Sequence, residues 1–275
     1  MSTTDLAALI REGNLAGAMA GAKDLVRKQP AVAAHRVLLF QLFTVDGEWD
    51  KALTQLEVVS ELDKLALPMV QAYREVLRCE ALRASVFAGQ RSPMVFGDPE
   101  PWVALLLEAL RASAAGKYAE AAALREQVFE QAPATAGSLD GEPFEWIADA
   151  DTRLGPMLEA VIKGRYFWIP FTRIKQVSFE APSDLRDMVW TPAEFTWTNG
   201  GQQVGFVPTR YPGSESHADP RVRLARMTQW DEPAPETYVG LGQRLFATDV
   251  GDHALLDVRS IEFAVSADDD AAAAG

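Results

Sequence analysis

The residues best placed to do chemistry are the carboxylates of Asp149-Ala-Asp151-Thr-Arg153, with Glu145 and Glu159 nearby. Carboxylates two positions apart can share a hard cation, so Asp149, Asp151 and Glu159 could form a metal-dependent or acid/base site. The same residues admit structural readings. Asp151 could cap a helix over 154–162 while Glu145 and Asp149 stay solvated, or an Asp could pair with a buried Arg. The other chemical candidates are weaker. His35, His217 and His253 are scattered, and none stands at zinc-ligand spacing from another or from a cysteine. There is no Gly-x-Ser-x-Gly elbow, phosphate loop or dinucleotide fingerprint. Gly240-Leu-Gly242 reads as a turn, and Asp268–Asp270 as a solvated run rather than a calcium site. No catalytic residue, metal or cofactor is expected.

Composition narrows the partner class. The chain has 275 residues, 48% of them apolar, and a net charge of -13. Residues 1–135 hold 14 Lys/Arg against 17 Asp/Glu, whereas 136–275 hold 12 against 22. Nucleic acid and anionic membranes demand a basic surface, so neither is an expected partner. The single cysteine, Cys79, excludes an intramolecular disulfide and reads as a buried small hydrophobe. No signal peptide or membrane span is legible, which makes a cytoplasmic protein the expectation.

The elements that must position these residues begin with a repeated phrase. Gly13-Asn-Leu15-Ala-Gly-Ala18, Gly47-Glu-Trp49-Asp-Lys-Ala52 and Gly116-Lys-Tyr118-Ala-Glu-Ala121 share one pattern. The first two glycines are 34 residues apart, the tetratricopeptide period, and the third follows after 69. Helix is expected over most of residues 3–132, with Pro30 and Pro133 as stops. Pro68 opens a long helix to Phe87 that Gly89 ends, and an irregular loop covers 91–101. The array is degenerate, because no phrase occurs near position 81.

Beyond 135 the text changes. Phe144-Glu-Trp146-Ile147 and the run from Leu154 to Ile162 read as short helices around a polar turn. From Gly164 onward, short aromatic and β-branched runs alternate with turn signals such as Asn199-Gly200-Gly201. The dense aromatics Trp146, Tyr166, Phe167, Trp168, Phe171, Trp190, Phe195 and Trp197 read as core and docking surface rather than a ligand cage. Tyr211–Pro220 reads as an exposed polar loop. The expected fold is α+β: residues 1–135 a degenerate tetratricopeptide-like helical domain, 136–163 a helical junction, 164–265 a small antiparallel β barrel-like domain. Residues 266–275 are expected to be a disordered acidic tail.

Several unrelated motifs together resemble one family. Phe40-Gln-Leu-Phe43, Gly47-Glu-Trp-Asp-Lys-Ala-Leu53, Gln71-Ala-Tyr-Arg74, Pro99-Glu-Pro-Trp102, Asp140-Gly-Glu-Pro-Phe144, Ile147-Ala-Asp-Ala-Asp-Thr-Arg153 and Pro208-Thr-Arg-Tyr-Pro-Gly-Ser214 resemble the ImpE/TagJ family of type VI secretion accessory proteins. The similarity runs from about residue 5 to residue 260. It implies a non-enzymatic adaptor that binds the N-terminal helix of the small sheath subunit TssB and links sheath to the ClpV disassembly ATPase. It also implies a helical domain followed by a β domain.

Repeat geometry supplies a candidate site for such a helix. A concave face would expose Gln41, Thr44, Val45, Met69, Ala72, Val76, Leu106 and Leu110 to the apolar stripe of an amphipathic partner. The degenerate slot could close that groove. A further reading leaves the helices architectural and gives partner binding to the β domain.

Overall fold

The glycines of the repeat phrase close their helices identically. Gly13, Gly47 and Gly116 have φ of 79°, 70° and 74°, backbone that favours glycine. At the second, Gly47 N–H donates to the Thr44 carbonyl and Glu48 N–H to that of Phe43; the other two repeat the pattern. This double return satisfies carbonyls that a helix end leaves orphaned. A computed structural model of the chain describes residues 3–98 and 100–264, so the acidic tail expected over 266–275 lies outside the described residues. The phrases punctuate helices α1 (Thr3–Arg11), α2 (Leu15–Lys28), α3 (Ala33–Val45), α4 (Trp49–Leu62), α5 (Leu67–Phe87), α6 (Pro101–Ala114) and α7 (Tyr118–Gln131). Ala18, Ala52 and Ala121, the small residues of the phrase, are fully buried where paired helices meet. Pro68 sits in the first turn of α5, and Gly89 ends it with the same double return.

The strands are β1 (Met94–Val95), β2 (Gly137–Leu139), β3 (Glu142–Phe144), β4 (Ile147–Asp149), β5 (Met157–Ile162), β6 (Arg165–Pro170), β7 (Ile174–Phe179), β8 (Trp190–Trp197) and β9 (Gln202–Pro208). A one-turn helix, α8 (Pro220–Arg223), precedes β10 (Thr228–Ala234), β11 (Thr237–Gly242), β12 (Leu245–Thr248), β13 (Gly251–Ala254) and β14 (Ser260–Phe263). The main sheet has nine strands in the order β1-β6-β5-β9-β8-β7-β14-β2-β3. Only β1 against β6 is parallel within it. Two antiparallel ribbons, β13-β12-β4 and β10-β11, complete the described strands.

The α+β class stands, with two corrections in detail. Residues expected as short helices at 144–147 and 154–162 are turns and strands, so the stretch 136–163 is part of the sheet and not a helical junction. The expected barrel-like form is an open sheet, because β1 and β3 remain unpaired ends of the order. β5 explains the misreading. Its Met157, Glu159 and Val161 face the helices while Leu158, Ala160 and Ile162 face the second core, so all six residues are buried and no alternation shows. The turn after it, Lys163-Gly164, has positive φ at both residues, as a two-residue hairpin requires.

The helical array covers part of one face of the sheet. Leu39, Phe40, Tyr73 and Leu106 from the helices share a core with Met157, Trp168 and Trp190 from the strands. A second core, containing Phe171, Phe195, Trp197 and Phe246, lies within the strand region. The loop expected to be exposed at 211–220 joins the two halves instead. Gly13 packs on Pro220, and Gly47 on Glu215. Arg226 donates to the Ile10 and Arg11 carbonyls at 3.0 and 2.7 Å, and Arg210 to those of Val45 and Thr44 at 2.9 and 3.1 Å. Arg223 pairs with Asp46 at 2.8 Å. Arginines from the strand half thus satisfy the C-terminal ends of α1 and α3, where the helix dipole favours cations.

Candidate functional site

Glu159 is the centre of a buried charge network at the helix–sheet joint. It projects from β5 and receives Arg83 of α5 through two hydrogen bonds, Nε at 2.8 Å and Nη2 at 3.1 Å. Arg244 and the Tyr166 hydroxyl donate to it as well. Arg244 bridges onward to Asp149, which also accepts from the Tyr211 hydroxyl at 3.0 Å and the Asp151 backbone N–H at 2.9 Å. Asp151 holds Arg153 through both carboxylate oxygens, at 2.9 and 2.6 Å, and accepts the Gly240 N–H at 2.9 Å. Glu80 accepts from Trp190 Nε1 at 2.6 Å and lies 3.6 Å from Arg83 Nη1.

This arrangement decides between the readings of the acidic motif. Asp149 and Asp151 are in buried pairs with arginine, and Asp149 is not solvated. Asp151 secures a turn, through its bond to the Arg153 N–H, rather than the N-terminus of a helix. Burial would raise Glu159, but Arg83 and Arg244 outweigh it and hold the carboxyl at about 2. At Asp149 burial prevails over Arg244, and the carboxyl is pushed up to about 7. No group of three or more His, Cys, Asp or Glu among the described residues is placed to hold a metal ion. Glu159 is held as a fixed internal charge. Cys79 is buried against the Gly164 carbonyl, and burial pushes its thiol up to about 11, far from a reactive thiolate.

The eight positions read from repeat geometry separate in the structure. Gln41, Thr44 and Val45 lie on α3, Met69, Ala72 and Val76 on α5, and Leu106 and Leu110 on α6. Six of the eight are buried, and only Met69 and Ala72 are half-exposed. Val45, Val76, Leu106 and Leu110 belong to the core shared with the sheet, which occupies the face expected to be open. Thr44 spends its hydroxyl on the Gln41 carbonyl at 2.7 Å.

Ala72 and Val76 meet again in a cleft of about 580 Å³ between α5 and the sheet. The sheet side is built from Val161, Pro192, Val204 and Phe206, with Phe206 against the Tyr73 ring at 5.2 Å. Glu75, Lys163, Glu180 and Glu194 stand exposed around it. Sequence reasoning missed the sheet side. Its one signal is that Val204 and Phe206 share a face of β9, a pattern that equally describes a core strand.

Fold and site together define a class: a short helical-repeat array locked onto an antiparallel-rich sheet, its acidic cluster paired internally and an apolar cleft open beside it. A family model described as ImpE protein matches residues 141–262. The type VI secretion system accessory component TagJ of Pseudomonas aeruginosa PAO1 is 49% identical over 256 residues, 93% of this chain and 89% of that protein. The chain belongs to the ImpE/TagJ family. The X-ray crystal structure of protein VPA1032 from Vibrio parahaemolyticus has the same fold, with a TM-score of 0.86 over 96% of this chain and 99% of that one at 22% identity. Among the described residues no helix is long and apolar enough to cross a membrane.

Proposed function

We propose that this chain is a non-enzymatic, cytoplasmic accessory component of a type VI secretion system. In this reading it binds the N-terminal helix of the small sheath subunit TssB and, through it, links the sheath to the ClpV ATPase. The observation that carries the reading is 49% identity to TagJ along 93% of the chain, spanning both the helical and the strand halves. The pairing of Glu159, Asp149 and Asp151 with arginines supports a structural use of the acidic motif over a catalytic one. Of the eight positions taken from repeat geometry, Ala72 and Val76 line the cleft, and half-exposed Ala72 remains the candidate for direct contact with the helix while Val76 lies buried beneath. The sheet lines most of the same cleft, which favours a shared helix–strand surface over either half alone.

Binding of one helix buries a small area, and association entropy offsets much of it, so an affinity on the order of micromolar is expected. The experiment is capture of the full chain by an immobilised peptide of the cognate TssB N-terminal helix. Retention of folded protein is expected. Its passage through the column, with circular dichroism confirming the fold, would sink the reading.

A further inference from the structure

The cleft beside α5 has the shape of a missing helix. α5 and its neighbours cover the part of the sheet face that carries Trp168 of β6, Val161 of β5, Phe206 of β9 and Trp190 of β8, and the layer stops short of Val204. Past its edge the same face continues with Val204 of β9, and with Glu194 and Ser178 as its cross-strand neighbours on β8 and β7. Val204 is 74% exposed in the middle of a strand that is paired along its length. A β-branched residue there belongs under a covering layer, and the layer that suits one face of a sheet is a helix.

The charges around the cleft select the occupant. Glu75, Glu180 and Glu194 are exposed there against one cation, Lys163. Small-molecule sites place a few polar groups inside the pocket to fix the ligand. Here Val161, Pro192, Val204 and Phe206 make much of the lining apolar and the charged side chains that share it are exposed, an arrangement that suits an apolar stripe with charged edges.

We propose that this cleft, which Val204 lines, docks an amphipathic partner helix whose apolar stripe is edged by lysines and arginines. The proposal rests on the helix-binding reading above and adds the place and the charge of the contact. Val204 and one turn of α5 through Ala72 bury the stripe. Glu180 and Glu194 meet the basic edge, so salt weakens the complex.

The test uses full-length protein and a fluorescent peptide of the cognate TssB N-terminal helix, with anisotropy as readout. Val204→Asp, and separately the double variant Glu180→Lys/Glu194→Lys, are expected to weaken binding about tenfold or more. Leu65→Asp, at a position 92% exposed and outside the cleft, leaves it unchanged. The substituted side chains are all exposed, so melting temperatures should match the wild type. Should Val204→Asp lower the melting temperature, the glutamate variant decides. Wild-type binding that both cleft variants retain overturns the cleft and leaves the helix-binding reading standing. Tighter binding by the charge-reversed variant overturns the basic edge and the proposal with it. Failure of the wild type to bind removes both readings.

Discussion

Arg83 of α5 and Glu159 of β5 face each other as a bidentate pair across the joint between the helices and the sheet, at 2.8 and 3.1 Å. Two parallel bonds fix orientation as well as distance, so the pair sets how the long helix lies on the strands. Arg244 on the other side of the same carboxylate extends that control into the strand region. Breaking such a pair by removing one partner leaves an uncompensated buried charge, whereas an apolar replacement of the whole network need not be costly.

Glu159→Gln removes one counter-charge from each of two buried arginines at once. It is expected to destabilise the protein by about 3–5 kcal/mol, read as a shift in the urea midpoint. Asp149→Asn leaves an amide that still accepts hydrogen bonds, and should cost less, about 1–3 kcal/mol. Equal effects would place the centre of the network elsewhere.

Acid should expose the same residue. Glu159 is held at about 2, below the ordinary carboxylate value of about 4.3. Its contribution is therefore complete above about pH 4.3 and is lost as the pH falls toward 2. Asp149, raised to about 7, acts in the opposite sense: its contribution is present below about pH 4 and is lost as the pH rises toward 7. Urea midpoints measured from pH 2 to 8 should show Glu159→Gln flatter than wild type at the acid end. Asp149→Asn should be flatter between pH 4 and 7.

Divalent cations should have no effect. A metal that binds the native state raises its melting temperature by mass action. With Asp149, Asp151 and Glu159 paired to arginines, millimolar Mg²⁺ or Ca²⁺, or their removal by EDTA, should leave the transition unmoved. A rise that Asp149→Asn abolishes would restore the metal-dependent enzyme reading.

The repeat glycines should differ in their tolerance of alanine. Gly116 has φ of 74° and nothing within 4 Å of an added Cβ, so Gly116→Ala incurs only the left-handed backbone cost of about 1 kcal/mol. At Gly47 an added Cβ would stand 2.5 Å from Glu215 Cγ as well. Gly47→Ala should therefore exceed Gly116→Ala by about 1 kcal/mol or more in thermal or urea unfolding.

Much of the helical half was readable because its signals are local. A glycine with positive φ, a bulky residue two later and an alanine three after that mark each helix pair, and Pro68 marks α5. β5 was unreadable as a strand because both its faces are buried, and an unbroken Met-Leu-Glu-Ala-Val-Ile run fits a helix equally well. The Lys163-Gly164 turn was the overlooked local cue. The partners of the acidic motif were out of reach for another reason. Glu159 meets Arg83 and Arg244, 76 and 85 positions away, and no spacing rule connects them. The inward positions on α3, α5 and α6 were placed on one concave face by repeat geometry, but geometry alone did not reveal that the sheet would fill it.

The arginines that the strand half lends to the ends of α1 and α3 carry a consequence for the history of the array. Repeat proteins commonly change length by duplicating or losing whole units, since each unit touches only its neighbours. Here Arg226 serves the first helix pair, and Arg210 and Arg223 serve the second, all from one continuous stretch of the distant half. A duplicated unit would arrive with no arginine to meet it and would push the next one out of step. Those contacts should constrain copy number and leave variation to the outward surfaces.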